Sequence, residues 1–269
     1  MDRVHVVEED GATAGGPADG PLVVFVHGAL DRGASFARTA RRLRDGGVRT
    51  ARYDRRGYGR SQSLGTGDVD DHVADLLGVL DGRPATVVGH SYGGVLALAA
   101  AQAEPSLVRS VLAYEAPMAW VPWWPRTSAG SQALAGHRSG HGGDPGDAAE
   151  AFMRRMIGDE RWERLPPATR RVRRAEGPAL LADLESMRRP EPPYVAGAIA
   201  CPVVGACGSR SAAHHRRAAQ ELAASVPDGR LEVVEGADHG VHLTHATELA
   251  RRILAVATGD GPNSGRTSV

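Results

Sequence analysis

The chain has 269 residues and no lysine, since all 32 of its basic residues are arginine. Schiff-base chemistry and a phosphate loop built on lysine are therefore excluded. Cysteine is nearly absent too, with two in the chain, Cys201 and Cys207, bracketing the apolar run at 202–206. If that run is a strand, a rise of about 3.3 Å per residue sets them roughly 20 Å apart. A disulfide needs Cα atoms within about 7 Å, so both are expected to be free, buried thiols in a reducing compartment. Neither sign of charge is in excess, with 32 acidic residues against 32 basic ones. That argues against nucleic acid or an anionic membrane as a partner. No apolar run approaches the roughly 18 residues of a transmembrane helix. Residues 1–10 are polar and acidic, without the apolar core of a secretory signal. The expectation is a soluble cytoplasmic protein acting on a small molecule, with no nucleic-acid or membrane partner.

What is present is a core of ample size, with 42% hydrophobic residues. The run Leu22–Val26 is apolar throughout and bounded by Pro21 and His27-Gly28. Such a run suits a strand buried on both faces of a parallel sheet. Further strands are expected at 4–7, 48–53, 85–88, 107–114, 202–206 and 231–234. Helices are expected at 36–44, 69–80, 95–103, 212–225 and 244–257. Alternation with connections too long for hairpins defines an α/β protein with a largely parallel sheet. The rhythm breaks between 117 and 196. This stretch holds Trp120, Trp123 and Trp124, three of the chain's 4 tryptophans. It also contains a low-complexity loop at 136–147 and helical patterns at 147–157 and 178–187. The reading is a core of 1–116 and 197–257, an inserted helical cap of 117–196, and a disordered tail of 258–269. No internal repeat is present.

The strongest local signal is Gly89-His90-Ser91-Tyr92-Gly93-Gly94, between an expected strand and an expected helix. A G-x-S-x-G at a strand-to-helix turn is a nucleophile elbow, exposing the serine where helix N–H groups favour negative charge. Ser91 needs a base, and His239, after the last strand, follows in the chain order of this motif. His242 and His245 lie three and six residues further on. No other Cys/His or carboxylate pattern accompanies them, and no metal is expected. His214-His215 reads as a solvated helix start, and His90 as a packing residue within the elbow. By position, Ala29 after His27-Gly28 and Tyr92 after the serine are the backbone donors of an oxyanion hole. Ser61, in Gly59-Arg60-Ser61, lacks the closing glycine and is a turn residue. Leu30, Met118, Trp120, Trp123 and Trp124 are expected to wall the pocket, since tryptophans interleaved with Pro122 and Pro125 cannot form a regular helix face.

His27-Gly28, the loop from Tyr53 to Ser61, the elbow and Asp238-His239-Gly240 together resemble the α/β-hydrolase superfamily. The resemblance covers roughly residues 3–257. It implies an eight-stranded, mostly parallel sheet with a helical cap after the sixth strand, a Ser-acid-His triad and no cofactor. One departure concerns the acid. In most members it follows the seventh strand, where this chain reads Gly208-Ser209-Arg210-Ser211, with no carboxylate. A minority of the superfamily carries it after the sixth strand, where this chain has Glu115. Asp238 adjoins His239 too closely to turn back onto it, and Asp183 and Glu185 lie in the cap and are expected to be solvated. Glu115 is the expected acid; its bland alternative is a cap for the first turn of the insertion.

Dehalogenases and epoxide hydrolases use an aspartate nucleophile, so Ser91 argues against both. The expectation is a serine hydrolase acting on an ester or related acyl bond of a small, partly apolar molecule. A cofactor-free perhydrolase, a C–C bond hydrolase or a lyase would use the same residues, and a ligand-binding module of this fold would turn nothing over.

Overall fold

The computed structural model describes residues 3–11, 20–139, 143–189 and 191–259. In chain order it forms β1 (Val6–Glu9), β2 (Leu22–Val26), α1 (Ala37–Asp45), β3 (Arg49–Tyr53), α2 (Val69–Leu80), β4 (Ala85–His90), α3 (Tyr92–Ala103) and β5 (Val108–Tyr114). The insertion supplies α4 (Ala129–Ser139), α5 (Pro145–Ile157), α6 (Asp159–Glu163), α7 (Pro167–Ala175) and α8 (Gly177–Ser186). The core resumes with β6 (Val203–Gly208), α9 (Ala213–Ser225), β7 (Gly229–Val234), α10 (Val241–Thr244) and α11 (Ala246–Thr258). Of the expected tail, Thr258 closes α11, and 260–269 lie outside the described residues. Among the described residues no helix is long and apolar enough to cross a membrane.

The strands form one sheet in the order β1-β3-β2-β4-β5-β6-β7. Only β1 runs antiparallel, pairing with β3; the other neighbours are parallel. This corrects the expectation of eight strands with a cap after the sixth. Seven strands form among the described residues, and the cap follows the fifth. The described chain before β2 contributes a single edge strand, so each later strand ranks one place lower than the resemblance implied. The expected low-complexity loop at 136–147 is also partly helical, since α4 continues to Ser139.

Alternation along each strand assigns side chains to two cores. Val23, Phe25, Val88, Leu112 and Val204 face Leu43 of α1 and Leu249 and Ile253 of α11. Val24, Val26, Val87 and Val111 face α2, α3 and the cap side of the molecule. Asp68 starts α2 by accepting from the Asp70 and Asp71 N–H groups, while the Asp71 carboxylate accepts from the Asp68 N–H. That reciprocal cap satisfies orphan donors of the first turn. Small residues in α3 let it lie close on the sheet: a Cβ at Gly93 would stand 2.1 Å from the Val26 carbonyl oxygen. The tight seating puts the N-terminus of α3 at the carboxyl edge of the sheet, where ligands bind in open α/β folds.

Candidate active site

Ser91 sits between β4 and α3 with φ 52 and ψ −125. A non-glycine residue there is strained, a feature that concentrates at functional sites. The turn is held by two backbone bonds: Ser91 N–H donates to the Tyr114 carbonyl at 2.8 Å, and Gly94 N–H to the Ser91 carbonyl at 2.8 Å. Glu115, the residue after β5, shares the positive φ, at 50. Its N–H donates to the Ala206 carbonyl at 2.8 Å, which fixes the direction in which the side chain leaves the sheet.

The Glu115 carboxylate is fully buried. Its Oε2 accepts from His239 Nδ1 at 2.7 Å. Oε1 accepts from the Gly208 N–H at 3.1 Å and from the Ser211 hydroxyl. Ser211, which stands where the acid is usually found, thus donates to an acid arriving from the neighbouring strand. Burial pushes the Glu115 pKa up, but the hydrogen bond and charge of His239, the charge of His215 and the Ser211 bond outweigh it, leaving a value of about 2. The His239 loop is pinned from two sides: His90 Nε2–H donates to the His239 carbonyl at 2.7 Å, and Tyr114 O–H to the Asp238 carbonyl at 2.8 Å. The Asp238 carboxylate turns the other way and accepts from the Gly240 N–H at 2.9 Å.

A depressed carboxylate pKa adds stability that is fully present above its unfolded value and lost as pH falls through its folded value. Wild type should therefore lose its advantage over Glu115→Gln as pH drops from about 4.5 to about 2. Denaturant melts across that range test this, and a difference that stays constant down to pH 2 contradicts it.

The loop after β2 abuts the elbow, since a Cβ at Gly28 would lie 3.0 Å from Ser91 Cβ. Arg55, fully buried, orders this loop: its Nε donates to the His27 carbonyl at 3.0 Å and one terminal nitrogen to the Gly28 carbonyl at 3.2 Å. His27 Nδ1–H also donates to the Gly28 carbonyl at 2.7 Å, while His27 Nε2 accepts from the Arg55 N–H at 2.9 Å. Cis peptide bonds are absent among the described residues. In a planar trans peptide the C=O and the following N–H point in opposite directions. Holding the Gly28 carbonyl therefore aims the Ala29 N–H away from Arg55. Tyr92 opens α3, and its N–H is one of the donors that the first turn of a helix leaves unpaired.

Arg55 is itself fastened to the cap. Its terminal nitrogens reach Asp183 Oδ1 at 3.1 Å and Oδ2 at 2.7 Å, and Tyr58 O–H donates to Oδ2 at 2.6 Å. His72 Nε2 lies 3.1 Å from Oδ1. Asp183 is fully buried, which corrects the expectation that it is solvated. The physical reason is the bidentate guanidinium, which offsets the desolvation of the carboxylate. The sequence signal was available: Asp183 shares a helix face with Ala179, Leu180 and Met187, all buried. Glu185, by contrast, lies near the surface and pairs with Arg138. Asp183→Asn should cost about 3–5 kcal/mol by leaving a buried guanidinium without its counter-charge. Urea melts at neutral pH test this, and a loss below about 1 kcal/mol contradicts it.

His214 and His215 were expected to be solvated; both are half-buried. Both lie in the first turn of α9, where the His215 ring stacks on His239 with centroids 4.8 Å apart. Trp124 meets His214 and His215 edge-on at 4.8 and 5.5 Å. The cap brings Trp124 across these rings, which pattern reading along one segment does not reveal. Burial, then the charge of His239, lowers the His215 pKa to about 3. Trp120 packs edge-on against Tyr194. Trp123 donates to Glu221 at 3.1 Å and lies under the Arg217 guanidinium. Leu30 and Met118 are buried. Ser61 is buried in a turn, its Oγ accepting from the His5 N–H at 2.8 Å. Cys201 and Cys207 are free and buried.

A mostly parallel sheet with a helical insertion and a strained serine between strand and helix defines a hydrolase-type α/β protein. Residues 23–252 match the model of the alpha/beta hydrolase family, and the chain belongs to that family. It is 30% identical over 243 residues to a pimeloyl-[acyl-carrier protein] methyl ester esterase of Chromobacterium violaceum, covering 87% of this chain and 93% of that one. It is also similar to the structure of an alpha/beta hydrolase from Sphaerobacter thermophilus, with TM-score 0.66 and 27% identity over 91% of this chain and 95% of that one. An esterase from Exiguobacterium antarcticum shares the fold, with TM-score 0.73 and 18% identity over 95% of each chain.

Proposed function

We propose that the protein hydrolyses an ester or related acyl bond of a small, partly apolar molecule. The observation that carries this reading is Ser91 in its strained elbow together with the 2.7 Å pair of His239 and Glu115, the ring of His90 next to Ser91 lying 4.6 Å from that of His239. Ser91 Oγ attacks the acyl carbon and passes its proton to His239 Nε2. Glu115 keeps the other ring nitrogen protonated and stabilises the imidazolium as it forms. The developing oxyanion is held by the N–H groups of Ala29 and Tyr92. His239 then protonates the leaving alcohol, and water, deprotonated by the same ring, releases the acid from Ser91. The methyl ester esterase of Chromobacterium violaceum supports the bond type. The reaction needs no cofactor, and the free thiols are compatible with a cytoplasmic setting.

Residues 117–196 act as the cap over this site, with Leu30, Met118, Trp120, Trp123 and Trp124 toward the acyl group. Trp124, which touches the imidazole beside His239, is the one whose loss should alter selectivity most. Trp124→Ala should shift the preferred acyl length among nitrophenyl esters while costing less than the ~3–5 kcal/mol of a core aromatic. A collapsed melting temperature with an unchanged acyl profile contradicts that placement. The reading as a whole is tested with a fluorophosphonate probe. One adduct per chain, located at Ser91 and absent in Ser91→Ala, is expected. A chain that stays unlabelled and inert across the ester series overturns the proposal.

A further inference from the structure

A second group of ligating side chains lies beside the triad and takes no part in its proton path. Asp31 belongs to the loop after β2, His90 ends β4, and His242 lies in α10. One carboxylate oxygen and two imidazole nitrogens from these residues all lie within 4.8 Å of one another. His242 Nε2 is 3.2 Å from Asp31 Oδ2, and the His90 and His242 rings are 4.4 Å apart. Both histidines are buried, at 6% and 4% exposure.

The hydrogen bonds around His90 give this arrangement its meaning. Donation from Nε2 to the His239 carbonyl leaves the lone pair on Nδ1. That Nδ1 is buried without a hydrogen-bond partner, and so is Nδ1 of His242. An imidazole that gives one N–H to a backbone carbonyl and keeps the lone pair of its other nitrogen free holds the tautomer of a metal-bound histidine.

We propose that Asp31, His90 and His242 form a binding site for a late first-row divalent cation, with Zn²⁺ the best match. Two imidazoles and one carboxylate suit zinc rather than magnesium or calcium, which take oxygen ligands. Bonds of about 2.0–2.2 Å around a tetrahedral ion set ligand atoms roughly 3.3 Å apart. The Asp31–His242 separation of 3.2 Å already meets that spacing, and the remaining separations, within 4.8 Å, are what the ion would draw in. The Asp31 side chain is 22% exposed, which gives the ion an entry path and water the fourth position. The ion's ligands lie next to Ser91, two residues from Ala29 and three from His239. The ion would therefore join the loop after β2, the end of β4 and α10 beside the active site and stabilise the fold by mass action. The ligands converge from three separate segments of the chain, which is why spacing around His239 alone carries no metal signal.

Among the described residues the same ion has one competing location, at Glu115, His215 and His239, whose ligand atoms also lie within 4.8 Å of one another. The untagged full chain, stripped with a chelator, is titrated with ZnCl₂ by calorimetry, with melting temperature followed in parallel. One ion per chain and a melting temperature that rises with zinc are expected. Asp31→Asn and His242→Gln should each weaken binding by at least roughly 100-fold, while His215→Ala binds as wild type does. Ring-proton NMR of the wild type, needing no variant, should show zinc perturbing His90 and His242 ahead of His214 and His215. No binding, binding indifferent to Asp31→Asn and His242→Gln, or loss in His215→Ala instead overturns the proposal. Hydrolysis by the zinc-free protein is read separately, so failure of the ester reading and failure of the metal site are distinguishable.

Discussion

Ser91→Ala is expected to lower kcat by about 10⁶ while leaving the fold intact. The variant keeps a Cβ at φ 52, so strain at the elbow is unchanged, and no described helix cap or side-chain bond is lost. What survives is the ~10³–10⁴-fold advantage over water that an oxyanion hole and binding supply without a nucleophile. Circular dichroism and a melting curve matching wild type, with turnover near background, are the expected pair of readings. Activity within tenfold of wild type would falsify the assignment of Ser91 and move the nucleophile elsewhere.

Glu115→Gln should lower kcat by about 10³–10⁴ with a smaller change in KM, because the acid acts through His239 rather than on substrate. The amide has the same shape but no charge to stabilise the imidazolium. It also cannot accept from His239 on one atom and from Gly208 and Ser211 on the other, as the carboxylate does. Adding Ser211→Asp to this variant should restore part of the rate. Position 211 already contacts the carboxylate of Glu115, so an acid placed there starts close to the His239 ring. Full activity in Glu115→Gln alone eliminates Glu115, and no recovery in the double variant shows that the two positions are not interchangeable.

The seven candidate strands and the break at 117 were legible because they rest on local patterns. Val69–Leu80 forms α2 as its apolar spacing requires, and Leu22–Val26 is buried on both faces as a continuous apolar run should be. Two elements show where that reading stops. Residues 36–44 read as one helix, but the chain forms a 3-10 turn at Gly33–Phe36 before α1. The eighth strand came from resemblance, not from any apolar run in this chain, and the described residues do not form it.

The sequence by itself determined the α/β alternation, the elbow at Ser91 and the position of His239, since each follows from residues adjacent in the chain. Only the tertiary structure decided the pairing of Asp183 with Arg55, the stacking of His215 on His239 and the meeting of Asp31, His90 and His242. It also brought Glu115 to 2.7 Å from His239 across 124 positions of chain. The reason is physical. Periodicity and turn chemistry act over a few residues, whereas the partner of a buried charge is set by which loops meet at the edge of the sheet. That meeting depends on strand order, β5 lying between β4 and β6, and no local pattern encodes strand order.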